Sequence, residues 1–357
     1  MRSSAVLQPG AGPIRASNYL PAVPASVFWG RLPCADDAPV LEVDPGDEVT
    51  IDTISHEGIL EDQGSDPLAF FGRHGVAAEA VLSDAIELAA TRHRNPATDG
   101  PHVVTGPIGV RGARVGDLLA ITVLETLPRV PYGVISNRHG RGALPGELPR
   151  GEATVSIFSP VDPSGETAAL ARTAGAERDV HYPLAPFLGT MGVAVAGSER
   201  PHSVPPGAFG GNIDIKLLTV GSILYLPIQV EGALAYVGDP HFAQGDGEVA
   251  LTALEASLRA TVRFDVVPAA APLAAYAREF GPFVETAEYL VPTGLDDDLR
   301  DAMKKAVRSA IALLHAQYGM DEEHAYAYLS AATDFDVSQV VDLVCGVHAR
   351  IRKADFA

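Results

Sequence analysis

The chain has 357 residues, 47% hydrophobic and 20% charged, a balance that excludes disorder over most of its length and, at roughly 150 residues per domain, predicts two or three folded units. Lys and Arg number 26 against 45 Asp and Glu, a formal charge of -19. So acidic a chain repels phosphate backbones, which argues against a nucleic-acid partner.

In chain order, residues 1–38 read as an irregular arm, with Pro9, Pro13, Pro21, Pro24 and Pro33 breaking any period. Strand signals begin with the turn Pro45-Gly46-Asp47 and the alternating Val49 to Ile54. Turn and strand return at Val115 to Val123, and between them Val76 to Leu88 carries a weak helical period. Residues 128–210 read mostly as loop, with a short strand over Thr154 to Phe158. Ser222 to Val230 and Ala233 to Val237 flank Glu231-Gly232, which predicts a hairpin. Leu254 to Val266 alternates apolar and polar without a break, the pattern of a half-buried antiparallel strand. After the Pro/Ala-rich break at Pro268 to Pro272 the character changes. Asp296 to Tyr318 predicts a helix with Leu299, Met303, Val307, Ile311 and Leu314 (or Ala310) as its buried stripe and Gly319 as its stop. Asp321-Glu322-Glu323 opens a second helix to about Ala332, acids at its positive end.

The expected architecture is a mainly-β body over 39–268, with antiparallel pairing, followed by an α+β unit over 269–357. Cys34 and Cys345 are too few for a disulfide framework or a Cys-based zinc site, and Cys345 reads as a core thiol in its apolar run. No basic-then-apolar leader opens the chain and no run approaches about 18 apolar residues, so the expectation is a soluble, cytoplasmic protein without membrane contact.

Several routes to chemistry fail at the sequence. There is no Gly-x-Ser-x-Gly elbow, no Ser/Gly-rich tract of the serine amidases, and no Gly-rich phosphate loop with Lys-Ser/Thr. The window Gly238 to Glu248 instead concentrates Asp239, His241, Gln244, Asp246 and Glu248 after a strongly apolar strand. Asp239 and His241 are two apart and share a face if extended. Carboxylate oxygen and imidazole nitrogen suit zinc. The same window also fits a solvated acidic turn, and spacing leaves both open. Asn212, Asp214 and Lys216 form a second cluster, in which Lys216 either holds an anionic oxygen or pairs with Asp214. His56 and His102 stand singly.

These segments resemble the acetamidase/formamidase family. The resemblance lies in Gly210-Gly211-Asn212-Ile213-Asp214, Leu224-Tyr225-Leu226-Pro227, and Gly238-Asp239-Pro240-His241 through Gln244-Gly245-Asp246-Gly247-Glu248. Weaker likenesses are His102-Val103-Val104-Thr105-Gly106-Pro107, Gly112 to Asp117, and Ala332 to Phe335 with Gly346 to Ala349. The resemblance implies hydrolysis of a short amide to carboxylate and ammonia, a mixed barrel or sandwich fold, a homo-oligomer of two or more copies, and a divalent metal, zinc first and calcium second. Asp239 and His241, with His56 and His102, would hold the metal. Glu248 would move the proton, with Asp246 beside it. Asn212 or Lys216 would face the oxyanion, and Gln244, Asp214 and Thr105 would hold substrate. The alternative from another class is a non-catalytic β-barrel that binds a small molecule and holds structural calcium in its acidic loop.

Overall fold

The computed structural model describes residues 6–356. Strand makes up 35% of the chain and helix 19%, so the fold is mainly β, as expected. Two nine-stranded sheets share one apolar core. The first runs Asn18–Leu20, Glu48–Asp52, Leu258–Val267, Leu118–Pro128, Ile223–Pro227, Phe283–Glu285, Tyr289–Asp296, Cys345–Arg352 and Asp334–Gln339. The second runs Gly210–Asn212, Phe187–Val193, Ala235–Ala243, Leu254–Glu255, Tyr132–Asn137 and Val155–Pro160. Val103–Val110 joins it on Ala235–Ala243 and carries Val27–Trp29 and Leu41–Val43. Pairing among the named strands is antiparallel except at Asn18–Leu20 on Glu48–Asp52 and Leu41–Val43 on Val103–Val110.

The long alternating segment is two strands, not one. Leu254–Glu255 pairs in the second sheet and Leu258–Val267 in the first, the chain crossing between layers at Ala256-Ser257. Leu258, Ala260, Val262 and Phe264 enter the shared core. The polar row reaches water as expected only at Arg263 and Asp265; Glu255, Ser257, Arg259 and Thr261 are buried. Arg259 is fully buried, its guanidinium on the Asp52 carboxylate (Nε to Oδ1 2.6 Å) and on the carbonyls of Gln8, Ala11 and Pro13. The expected irregular arm therefore covers this face, and it also supplies Asn18–Leu20 and Val27–Trp29 to the two sheets.

The hairpin expected at Glu231-Gly232 does not form. Its first arm pairs with Leu118–Pro128 and Phe283–Glu285, its second with Phe187–Val193, Val103–Val110 and Leu254–Glu255. The turn is real, with Ala233 and Leu234 at φ 60 and 53, but it links two layers. Both arms are apolar on both faces, and a two-stranded ribbon would leave one face in water. Residues 128–210 are also richer in strand than expected. Phe187–Val193 is buried on both faces, so it lacks the alternation that would reveal it. The helix expected within Val76 to Leu88 is shifted to Ser83–Thr91.

The C-terminal helices pack on the first sheet through Leu118, Ala120, Tyr225, Tyr276, Phe283 and Leu313. Leu299–Tyr318 is capped by Asp298, which accepts from the Arg300 and Asp301 amides, and ends at Gly319. Its seam differs from the expected stripe. Ala302, Ala306, Ser309, Ala310, Leu313 and Leu314 are buried, whereas Leu299 and Met303 are exposed and Val307 and Ile311 half-buried. The cause is close approach: a Cβ on Gly294 of Tyr289–Asp296 would collide with the Ala302 carbonyl and the Ala306 amide, so only small residues fit the seam. Glu322–Ala332 begins at its cap Asp321, as expected. Cys345 is half-buried rather than in the core. The loop after Asp334–Gln339 turns back onto the second sheet, where Gly247 N donates to Ser338 O (3.1 Å) and Val340 N to Gly247 O (3.2 Å).

Candidate active site

Phe187–Val193 and Ala235–Ala243 pair so that Phe187 faces His241 and Thr190 faces Gly238, which sets Gly189 against Asp239. A Cβ at Gly189 would meet the Asp214 carboxylate, His241 Cε1 at 2.6 Å and Asp239 Oδ2 at 2.9 Å. The missing side chain is what leaves room for three functional groups to converge. Asp214, Asp239 and Glu248 adopt left-handed backbone, at φ 48, 48 and 45. That conformation costs an L-residue roughly 1–2 kcal/mol, and such strain concentrates at functional sites.

Three imidazoles converge on Asp239. His56 Nδ1 lies 3.5 Å from its Oδ1, His102 Nε2 3.8 Å and His241 Nε2 3.2 Å from its Oδ2. Two rings are hydrogen-bonded through their other nitrogen, and the third sits beside a carboxylate. His102 Nδ1 bonds the Ser203 carbonyl (3.0 Å), His241 Nδ1 the Gln244 side-chain oxygen (3.0 Å), and His56 Nε2 lies 3.4 Å from Glu57 Oε1. An outward N–H fixes the tautomer that turns a lone pair inward, the arrangement of metal-binding histidines. Gln244 donates in turn to the carbonyls of Asp214 (2.8 Å) and Ser338 (3.2 Å), so the last sheet edge helps to hold His241.

Carboxylates crowd the same volume: Asp214, Glu248, Glu255, Glu57 and Asp342 join Asp239, all buried. Six acids face three imidazoles and one guanidinium, that of Arg138, 3.6 Å from Glu57. Both Asp214 oxygens, Asp239 Oδ1, Glu255 Oε2, Asp342 Oδ2, His56 Nδ1 and His241 Nε2 are buried without a hydrogen-bond partner. Unpaired buried polar atoms are costly, and so many around one point describe a cradle for a cation. His56, His102 and Asp239 can offer donors within 4.8 Å of one another, as can Asp239, His241 and Glu255, and Asp214, His241 and Glu248.

The electrostatics follow from the crowding. Burial and the Asp214 charge hold the Glu248 carboxyl well above its usual range, burial with neighbouring acids does the same for Asp214 and Asp342, and burial with the Asp239 charge raises Glu255. Burial alone would depress the His56 ring, but Asp239, Glu57 and Glu255 overrule it and push it up to about 10. Glu255 and Asp239 likewise overcome burial to raise His241. Burial wins at His102, pulled down to about 4. Burial would raise Asp239, yet His102 and His241 hold it low.

Of the residues singled out in the sequence, Asp239, His241, His56, His102, Asp214 and Glu248 come together. Gln244 stands behind His241. Asn212 is buried, its side-chain oxygen accepting from the Thr190 hydroxyl (2.8 Å). Lys216 pairs with Asp246 at 2.5 Å, both partly exposed, rather than with Asp214. The Thr105 hydroxyl is given to the Asp52 carbonyl (2.8 Å). Sequence reasoning missed Glu255, Glu57, Asp342 and Gly189. Asp342 had a visible signal, a lone acid inside an apolar run.

Residues 180–351 match the model of the Acetamidase/Formamidase family. A formamidase of Methylophilus methylotrophus is 29% identical, the match covering 42% of this chain and 47% of that protein. An acetamidase of Mycolicibacterium smegmatis is 33% identical, covering 42% and 49%. The chain thus spans about half the length of the curated relatives it matches. Among solved structures, an acetamidase from Bacillus halodurans has a TM-score of 0.72 at 23% identity, covering 95% of this chain and 98% of that one. One from Yersinia enterocolitica has 0.73 at 24%, covering 98% and 94%. These two establish likeness of fold. Among the described residues no helix is long and apolar enough to cross a membrane.

Proposed function

We propose that this chain, which matches the acetamidase/formamidase family over residues 180–351, hydrolyses a short amide to a carboxylate and ammonia at the Asp239 cluster. The observation that carries the reading is the convergence of three imidazoles, two of them anchored by hydrogen bonds, on one carboxylate, ringed by buried acids with unpaired oxygens. That donor set fits zinc. Calcium takes six to eight oxygens, and three imidazoles argue against it. His56, His102, Asp239, His241 and Glu255 are the residues that would hold the ion. When bound, it would supply Lewis acidity toward the amide carbonyl and acidify water.

The protein's own groups divide the remaining work. Glu248, desolvated among other acids, has the raised pKa that suits taking a proton from water and returning it to the leaving nitrogen. Asn212, its oxygen engaged by Thr190, keeps its amide N–H for the carbonyl oxygen as charge develops there. Gln244 fixes His241. Lys216 and Asp246 neutralise each other at the rim. The same reading carries a homo-oligomer in the cytoplasm, the first checked by light scattering.

The test is ammonia release from an amide panel by zinc-loaded protein, with metal content measured alongside. Stoichiometric zinc, and activity lost on chelation and restored by zinc, are expected. The double variant Asp239→Asn with His241→Ala should stay folded and lose the metal. Ammonia from no amide, or full zinc retention by the double variant, would sink the reading.

A further inference from the structure

A cleft of about 460 Å³ reaches Gln244 and Glu248 and is walled by Ile135, Leu170, Tyr182, Pro183, Val249 and Leu254. Resting on the amide-hydrolysis reading above, we propose that this cleft is an acyl pocket, and that among short amides the substrate is a primary amide with an apolar acyl group longer than acetyl.

Size is the first argument. Formamide or acetamide would leave most of an apolar-walled space wet. The volume lies instead in the range of about 300–1,000 Å³ typical of pockets for larger organic ligands.

The polarity of the wall is the second. Its polar side chains are already committed. The Tyr182 hydroxyl is on Ser159 Oγ (2.8 Å), and Thr252 Oγ1 accepts from the Ser136 amide (2.8 Å) and lies 3.1 Å from the Ala253 carbonyl. Asp246 is neutralised by Lys216. Gln244 is spent on His241, Asp214 and Ser338. What remains toward the cleft is aliphatic and aromatic carbon and the Glu248 carboxyl. A second polar or charged group on the substrate would find no partner there, whereas an alkyl or aryl group would shed water. The amide end goes to Glu248. Because a primary amide releases only ammonia, its bulk must lie on the acyl side.

The test compares zinc-loaded protein on formamide, acetamide, butyramide, hexanamide, phenylacetamide and N-hexylacetamide. We expect kcat/KM to rise by roughly fourfold per added methylene from acetamide to hexanamide. Ala250→Phe, at the cleft wall, should cut hexanamide turnover tenfold or more and leave acetamide within about twofold. Leu170→Asp, on the strand Thr167–Ala171 that pairs with Arg178–Pro183, should discriminate in the same direction, and acetamide turnover reports folding in both. Formamide or acetamide as best substrate would overturn the acyl pocket alone. So would N-hexylacetamide outrunning hexanamide, or parallel loss of both amides in both variants. Neither ammonia nor hexylamine from any of the panel would instead sink the hydrolase reading beneath it.

Discussion

Glu248 combines three features: left-handed backbone, burial, and a carboxyl held high by its acidic neighbours. Glu248→Gln keeps its shape but cannot accept a proton. Turnover should fall by about 10²–10⁴ while zinc stays bound, and near-wild-type ammonia release would move the role to Asp214 or Asp246. Asp342 faces Glu248 and Asp214 from the loop after Asp334–Gln339. Asp342→Asn removes a like charge, which lowers the pKa of the acids beside it. The acid limb of the kcat/KM–pH profile should therefore shift to lower pH with zinc retained; an unmoved profile would show that Asp342 is not coupled to the base. The contrast between these residues shows how far a sequence reveals a site. Asp239, His241 and Glu248 were legible because they crowd one Gly-punctuated window. Glu255 looked like any polar position in an alternating strand, and Gly189 had no side chain to notice. Both reach the cluster only through cross-strand register.

At the level of elements, alternation located strands but did not say which sheet each joins. Leu254 to Val266 read as one strand because the layer change at Ala256-Ser257 preserves the apolar–polar rhythm. Its polar row is buried as far as Thr261, and Arg259 can be there because Asp52 and the carbonyls of residues 8–13 satisfy it. The helix Leu299–Tyr318 is the sharper case. Its large apolar residues formed the obvious stripe, but the sheet beneath selects small ones at Gly294. Gly294→Ala should therefore destabilise the fold by about 1–3 kcal/mol or more, as overpacking does. Met303→Ala, on the exposed side, should stay within about 0.5 kcal/mol, where a buried Met would cost about 2–5. Urea unfolding of the pair decides it, and equal costs would return the seam to the large-residue stripe.

Across the whole molecule, the acidic cluster ties the layers together. His56 follows Glu48–Asp52 of the first sheet, Asp239, His241 and Glu255 lie on the second, and Asp342 comes from the C-terminal loop. Without a metal, this cluster sets how stability depends on pH. The raised carboxyls of Asp214, Glu248, Glu255 and Asp342 bind protons more tightly folded than unfolded, so their contribution is lost as pH rises through their folded values. His56 and His241 act in the same sense. Their protonated rings stabilise fully below the ordinary value of 6.5, and that stabilisation fades as pH climbs, toward about 10 for His56. Asp239 and Glu57, held low, matter only in acid, where protonating them removes stability. His102 acts in the opposite sense, because its ring takes a proton below 6.5 only when unfolded, and it adds nothing at higher pH. Chelated protein should therefore lose thermal stability steadily from pH 6 to pH 9. Zinc held in the cluster, as proposed, would replace the shared protons, so loaded protein should melt higher and vary less, with about 2.7 kcal/mol gained at a hundredfold excess over Kd. Differential scanning calorimetry of both forms across that range provides the measurement. A chelated Tm that is flat or rising between pH 6 and pH 9 would show that the buried acids are not what the cation relieves.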